Sequence, residues 1–285
     1  MIFRYQINEN ITVKDFLINN DIPSNVITSL KTKNGQILVN DQTVSSIYKM
    51  VPGDKLEIVF PSSTQGENIK SVKGPLNIIY EDSYLLILDK PNNLACIPTR
   101  KHYDHSLANY VMSYYKQKGI EANIHFVGRL DAPTSGIIIL TKNSFMLTLM
   151  QRTNIEKHYI LEVEGALEES EGIIELGIER DENSIIKRRT TKNFINSKTI
   201  YKVVGSKPGA TFVNAQLCTG KTHQLRLHFL SLGHPIVGDA LYEDAKNDSN
   251  SILHLHSYRV KFIHPITKEV KEFISYPTWF SLFSK

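Results

Sequence analysis

Val127-Gly128-Arg129-Leu130-Asp131-Ala132-Pro133-Thr134-Ser135-Gly136-Ile137-Ile138-Ile139-Leu140 reads as a turn-rich loop that feeds directly into a strand. Pro133, Thr134, Ser135 and Gly136 are turn formers, and Ile137 to Leu140 is the apolar, β-branched run of a buried strand. A rigid strand therefore carries Asp131 at its mouth, which is how a reactive group is commonly held. A loop aspartate taken alone is more often satisfied by backbone amides, so the weight falls on the rest of the chain.

A second stretch, Leu217-Cys218-Thr219-Gly220-Lys221-Thr222-His223-Gln224-Leu225-Arg226-Leu227-His228-Phe229, decides the matter. Together the two resemble the signatures of the RluA-type pseudouridine synthases, which isomerise uridine within RNA. Further blocks follow in that family's order: Ile79 to Asp82 with Leu86 to Pro91, Lys157-His158-Tyr159, Gly233 to Tyr242, and Leu253-His254 through Phe262 to Thr267. The similarity runs from about Leu76 to Pro277.

The resemblance implies a cofactor-free reaction. The bond from ribose to the base nitrogen breaks, the uracil turns, and carbon 5 rejoins the sugar, with no redox change, phosphate donor or metal. One carboxylate suffices, as nucleophile at the sugar or as base at the neighbouring ribose carbon. Asp131 matches that carboxylate, and Arg226 matches the guanidinium expected to pair with it and keep it charged. Tyr159 matches the tyrosine that stacks on uracil and serves as a base late in the reaction. Uridine in folded RNA must first be flipped out, at a cost of roughly a few kcal/mol. Arg129 matches the residue that engages the RNA around the vacated space. Where the family usually has histidine before this arginine, the chain has Gly128. RNA or substrate contacts are also expected at Thr134, Lys157, Lys187, Arg188, Arg189, Lys221, His223 and Gln224.

Composition agrees with a globular protein that has a sizeable core: 285 residues, 41% hydrophobic and 22% charged. No stretch approaches the ~20 apolar residues of a membrane helix. Cys96 and Cys218 are the only cysteines, which excludes a disulfide framework and a four-cysteine zinc site and points to a reducing cytoplasm. Net charge is only +4, yet no Asp or Glu occurs from Asn183 to Gly238. That stretch carries Lys187, Arg188, Arg189, Lys192, Lys198, Lys202, Lys207, Lys221 and Arg226, which predicts a field attractive to a polyanion. The plainer alternative is a solvated basic loop over Lys187 to Lys192.

Three units are expected: a small α/β unit over residues 1–60, a linker over 61–75 rich in Ser, Gly, Gln and Lys, and a catalytic domain over 76–285. In the first, Thr12 to Asn19 has helical spacing, Ser24 caps a helix over Asn25 to Lys33, and Gln36 to Asn40 and Lys55 to Phe60 are strands. The run Gly35 to Asn40 followed by Val51 to Leu56 looks like the alpha-L RNA-binding domain, although Ser24-Asn25 stands where Ser-Arg is usual. The acids and bases of Met1 to Phe60 balance, so charge alone gives this unit weak RNA affinity.

In the catalytic part the spacing predicts helices over Leu107 to Lys118, Ser144 to Arg152 and Thr222 to Leu232. Strands are predicted at Ile78-Ile79, Leu85 to Leu88, Gly136 to Thr141, Tyr159 to Glu164, Ile200 to Val204, Phe212 to Leu217 and Val260 to Ile263. Strands outnumber helices without strict alternation. The expected class is α+β, with a mixed, mostly antiparallel sheet and flanking helices.

Other chemistries fit poorly. His223 and His228 are five apart, off the spacing that puts two ligands on one helical face. Gly220-Lys221-Thr222 lacks the upstream glycine of a phosphate-binding loop, because position 215 is alanine. The expectation is a monomeric enzyme without metal or cofactor, acting on large-subunit ribosomal RNA. Transfer RNA is the alternative substrate, and a non-catalytic RNA-binding or ribosome-assembly factor is the alternative function.

Overall fold

The computed structural model describes residues 2–20, 22, 27, 28, 30, 35–59, 69–99, 103–242 and 252–280. The N-terminal elements are β1 (Ile2–Gln6), β2 (Ile11–Thr12), α1 (Val13–Asn19), β3 (Gln36–Val39), β4 (Gln42–Thr43), β5 (Lys49–Met50) and β6 (Lys55–Val59). Four of these strands form a sheet in the order β1-β6-β3-β4. Thr12 caps α1 by accepting from the Asp15 amide at 3.1 Å. Most of the helix expected over Asn25 to Lys33, its cap Ser24 included, lies outside the described residues, as does the linker up to position 68.

From Lys70 the chain is packed rather than free. Asn109 donates to the Lys70 carbonyl at 2.7 Å, and a Cβ at Gly74 would collide with the Tyr110 ring. The N-terminal sheet is also joined to the rest by aromatic packing. Phe3 stacks on Tyr84 at 5.2 Å and meets Phe145 edge-on, and the apolar cluster around them draws buried residues from both parts.

The remaining elements are β7 (Asn77–Glu81), β8 (Leu85–Lys90), α2 (Leu107–Lys118), β9 (His125–Phe126), β10 (Ser135–Thr141), α3 (Ser144–Arg152), β11 (Glu156–Glu164), β12 (Glu171–Arg180), β13 (Arg188–Thr191), β14 (Ser197–Lys207), β15 (Ala210–Leu217), α4 (Gln224–Ser231), β16 (Leu255–Ile263) and β17 (Val270–Ile274). They build one eleven-stranded sheet whose main path is β13-β12-β14-β15-β11-β16-β10-β8-β7, with β17 beside β16 and β9 beside β10. The α+β expectation is met.

Every pairing in this sheet is antiparallel except one, β10 with β16, through Ser135–His256 and Gly136–Ser257. That exception centres the site. β10 is buried along its whole length, and at Gly136 (φ +108°) a Cβ would lie 2.4 Å from the Ser257 carbonyl oxygen. Only glycine lets the two strands approach so closely there. Ser135 is fixed against the same neighbour. The His256 ring donates from Nε2 to the Ser275 carbonyl (3.1 Å), so its Nδ1 accepts the Ser135 hydroxyl (2.8 Å).

Candidate active site

The loop before β10 is held by its own carbonyls. The Cys96 thiol donates to the Leu130 oxygen (3.1 Å), the Lys90 ammonium to Ala132 (3.1 Å) and the Asn92 amide to Pro133 (2.7 Å). Lys90 spends its other two protons on the carbonyls of Pro91 and Leu94, both at 2.9 Å. It is completely buried, and burial lowers its pKa from 10.5 to about 8, against the attraction of Cys96, Asp131 and Asp89. The Thr134 amide then closes a turn onto the Asp131 carbonyl at 3.1 Å. Asp131 is thus clamped by backbone on both sides, while its carboxylate remains partly exposed.

Next to this loop a narrow cleft, with room for about 20 Å³ of water, is lined by Gly128, Arg129, Leu130, Lys157, Tyr159 and Ser257, among others. Tyr159, on β11, sits where the β11–β16 register slips between His158 and Tyr159. Its phenol is buried and lies within electrostatic reach of Asp131. Burial, helped by Asp131 and Cys96, pushes its pKa far above the ordinary value, with a hydrogen bond from Ser257 opposing. In this arrangement Tyr159 is a neutral phenol, suited to lining a base pocket.

Gly128 has φ +80°, and a Cβ there would come within 3.1 Å of the Lys157 ammonium, which itself donates to the Val127 carbonyl at 3.4 Å. The position that carries histidine in the resembling family is, in this chain, a left-handed turn beside a half-buried lysine. Burial lowers the Lys157 pKa.

Arg226 departs from expectation. Its guanidinium does not pair with Asp131; it makes a two-pronged ion pair with Asp239, Nε to Oδ2 at 2.8 Å and a second contact from Nη2 to Oδ1. The reason is burial. Asp239 is 1% exposed and needs a counter-charge to leave water, whereas Asp131 keeps part of its hydration. Asp239 also accepts from the Leu241 and Tyr242 amides, and Arg226 lies over the Tyr242 ring at 5.1 Å. The side chain at this end of α4 that faces Asp131 is instead that of the N-cap residue. His223 places Nε2 3.8 Å from Asp131 Oδ2.

Other expected contacts divide. Gln224 is buried and fully used within the protein: Oε1 accepts from Thr219 and Lys221, and Nε2 donates to the Lys198 carbonyl and the Thr199 hydroxyl. It ties α4 to β14. Thr134 is buried, and its hydroxyl has no partner among the described residues. Arg129 is exposed at the cleft mouth.

The basic stretch is less free than its sequence suggests, because acids outside it lie across the strands. Arg189 binds Glu179 and Glu182, Lys198 binds Glu175, Lys202 reaches Glu171, and Lys207 binds Glu162. Arg188 turns its guanidinium onto the carbonyls of Ile186 and Lys187. Lys187 flanks the start of β13 and Lys221 lies just before α4. No group of three potential metal ligands occurs, and no helix is long and apolar enough to cross a membrane, among the described residues.

The geometry is a partly exposed carboxylate on a rigid loop, backed by a buried ammonium, with a histidine facing it and a buried aromatic ring within electrostatic reach. Comparison with known proteins gives this arrangement its class. The sequence pattern of the RNA pseudouridylate synthase family matches residues 84–231. The chain is 33% identical to YjbO of Bacillus subtilis, an uncharacterized RNA pseudouridine synthase, across 92% of this chain and 94% of that one. It is 32% identical to the ribosomal large subunit pseudouridine synthase C of Vibrio vulnificus, covering 91% and 87% of the two chains. In structure it is similar to human RNA pseudouridylate synthase domain containing 1, with TM-score 0.60 and 22% identity over 73% of this chain and 85% of that one, a likeness of fold. The chain belongs to the RNA pseudouridylate synthase family. It is an RNA pseudouridine synthase, an isomerase that rearranges uridine in RNA.

Proposed function

We propose that the protein converts uridines of large-subunit ribosomal RNA to pseudouridine, with Asp131 as the reacting carboxylate and no cofactor. The observation that carries the mechanism is the clamped loop. Three separate side chains, from Lys90, Asn92 and Cys96, fix the carbonyls of the residues on either side of Asp131. Such fixation holds the Asp131 backbone in place and keeps its side chain within electrostatic reach of Tyr159.

In the covalent version of the reaction, a carboxylate oxygen of Asp131 bonds to the ribose anomeric carbon and the base nitrogen leaves with the bonding pair. After the uracil turns, its carbon 5 displaces the carboxylate and then loses its hydrogen as a proton. In the elimination version Asp131 removes the proton from the adjacent ribose carbon and returns it later. Both routes end with the carboxylate regenerated and no net redox change. Tyr159 supplies an apolar face for the flipped base, and Arg129 stands at the mouth where the RNA backbone passes.

The choice of ribosomal RNA rests on the relatives named for the large subunit that match along most of this chain. A pseudouridine map of ribosomal and transfer RNA from cells lacking the protein tests it. Loss of sites confined to large-subunit ribosomal RNA is expected. Loss confined to transfer RNA overturns the substrate, and an unchanged map overturns the whole reading.

A further inference from the structure

His223 occupies a costly position. It caps α4 from the left-handed region, φ +59° and ψ +20°, yet its side chain makes no capping hydrogen bond. Asparagine or aspartate would serve both the backbone and the cap better. The imidazole is directed elsewhere, and it is only 8% exposed. Nδ1 lies 2.8 Å from the Tyr242 hydroxyl and Nε2 lies 3.8 Å from Asp131 Oδ2.

The hydrogen-bond inventory favours one nitrogen as the carrier of the proton. The Tyr242 oxygen already accepts the Arg188 backbone amide at 2.9 Å. Its own proton has one acceptor among the described residues, His223 Nδ1. With Nδ1 accepting, a neutral ring must carry its hydrogen on Nε2, the nitrogen facing Asp131. Burial favours the neutral ring. The charges around it oppose one another, Asp131 and Asp239 favouring the cation and Arg226 and Arg188 disfavouring it. The ring of Tyr242 is itself held, edge-on to His223 and beneath Arg226.

We propose that Tyr242 is a positioning residue that locks His223 with its proton on Nε2, so that the imidazole offers Asp131 an N–H donor and selects which carboxylate oxygen faces the sugar. The proposal rests on Asp131 being the reacting carboxylate. A 3.8 Å separation is long for a hydrogen bond in the empty site, and such contacts commonly tighten when substrate binds. The relay starts at the backbone of Arg188, the first residue of β13, so the same hydroxyl also ties the β12–β13 hairpin to the carboxylate.

The tautomer is read directly from imidazole nitrogen-15 shifts of the full-length protein. The rate is read as tritium release, under single-turnover conditions, from total RNA of cells lacking the protein, labelled with 5-tritiated uridine. In the wild type His223 should show an unprotonated Nδ1 and a protonated Nε2. Tyr242→Phe should mix the tautomers and slow release roughly 10- to 100-fold, as the reacting carboxylate loses its orientation. Among replacements of His223, Gln places an amide N–H near the Nε2 position and Asn near Nδ1. His223→Gln should therefore be the more active, although the left-handed backbone favours Asn.

A wild-type proton on Nδ1, a Tyr242→Phe rate equal to wild type, or His223→Asn matching or exceeding His223→Gln would overturn the proposal. Asp131→Asn run in parallel separates the two levels. If it is inactive while any of those results appears, only the relay fails. If it retains the normal rate, the reading of Asp131 fails.

Discussion

Lys90→Met replaces a buried ammonium by an apolar chain of similar length, and its consequences can be worked from the structure. Burial lowers the Lys90 pKa from 10.5 to about 8, so at neutral pH the native state carries a charge it has been made to desolvate, at a cost of roughly 3 kcal/mol. For a lysine with a lowered pKa this cost is fully present below about pH 8 and fades as pH rises towards 10.5. The substitution relieves it. Against that, it strips the donor from three carbonyls, Pro91, Leu94 and Ala132, each worth about 2 kcal/mol when left unpaired in a buried setting. The net expectation is a loss of about 3 kcal/mol.

Denaturant unfolding should show that loss as a lower midpoint with unchanged slope. Single-turnover tritium release, at a temperature where the variant is folded, should fall at least tenfold, because Ala132 is released and Asp131 with it. Wild-type stability together with a wild-type rate would refute the claim that this ammonium organises the catalytic loop.

Gly136→Ala should lower stability by several kcal/mol or separate β10 from β16, since its Cβ has 2.4 Å to the Ser257 carbonyl; a melting temperature within a degree of wild type would contradict the close approach. Arg226→Met leaves Asp239 buried and unpaired and should cost about 3–5 kcal/mol in unfolding experiments, whereas a partner of Asp131 alone would show its main effect on rate. His228 and His256 are buried neutral, each lowered from 6.5 to about 4 by desolvation. A histidine with a lowered pKa binds fewer protons folded than unfolded, so stability should fall as pH drops from about 6.5 to 4. The loss is at most roughly 3 kcal/mol for each, and a flat profile across that window would exclude the effect.

Much of this architecture was legible because local signals agreed with the global fold. The helices at Leu107–Lys118 and Ser144–Arg152 start at the side-chain caps Ser106 and Asn143, and the first stops at Gly119 in the left-handed conformation. The apolar run after Asp131 became the buried β10. The strands β12 and β13 were not anticipated. Glu171, Glu175 and Glu179 make their segment look solvated, and only the sheet shows that these acids pair across strands with Lys202, Lys198 and Arg189. The same tertiary neutralisation weakens the reading of a basic patch from Asn183 to Gly238.

At the site, Asp131 lies within electrostatic reach of Tyr159, but ion-pair partners cannot be read from spacing. Arg226 finds Asp239 because that carboxylate is the more deeply buried, and His223 takes the place beside Asp131. Lys90, Cys96 and Tyr242 act through carbonyls or through another side chain. In the sequence they are visible only as members of blocks, with nothing to mark their roles.

The most direct test of the mechanism is the rate of pseudouridine formation by Asp131→Asn, measured on RNA lacking the modification and paired with a melting curve. The side chains have nearly the same shape, and the Thr134 amide bonds to the backbone oxygen of residue 131, so folding should be preserved. No detectable pseudouridine, at a wild-type melting temperature, is the expected result. Product formed at the wild-type rate would place the chemistry on some other group.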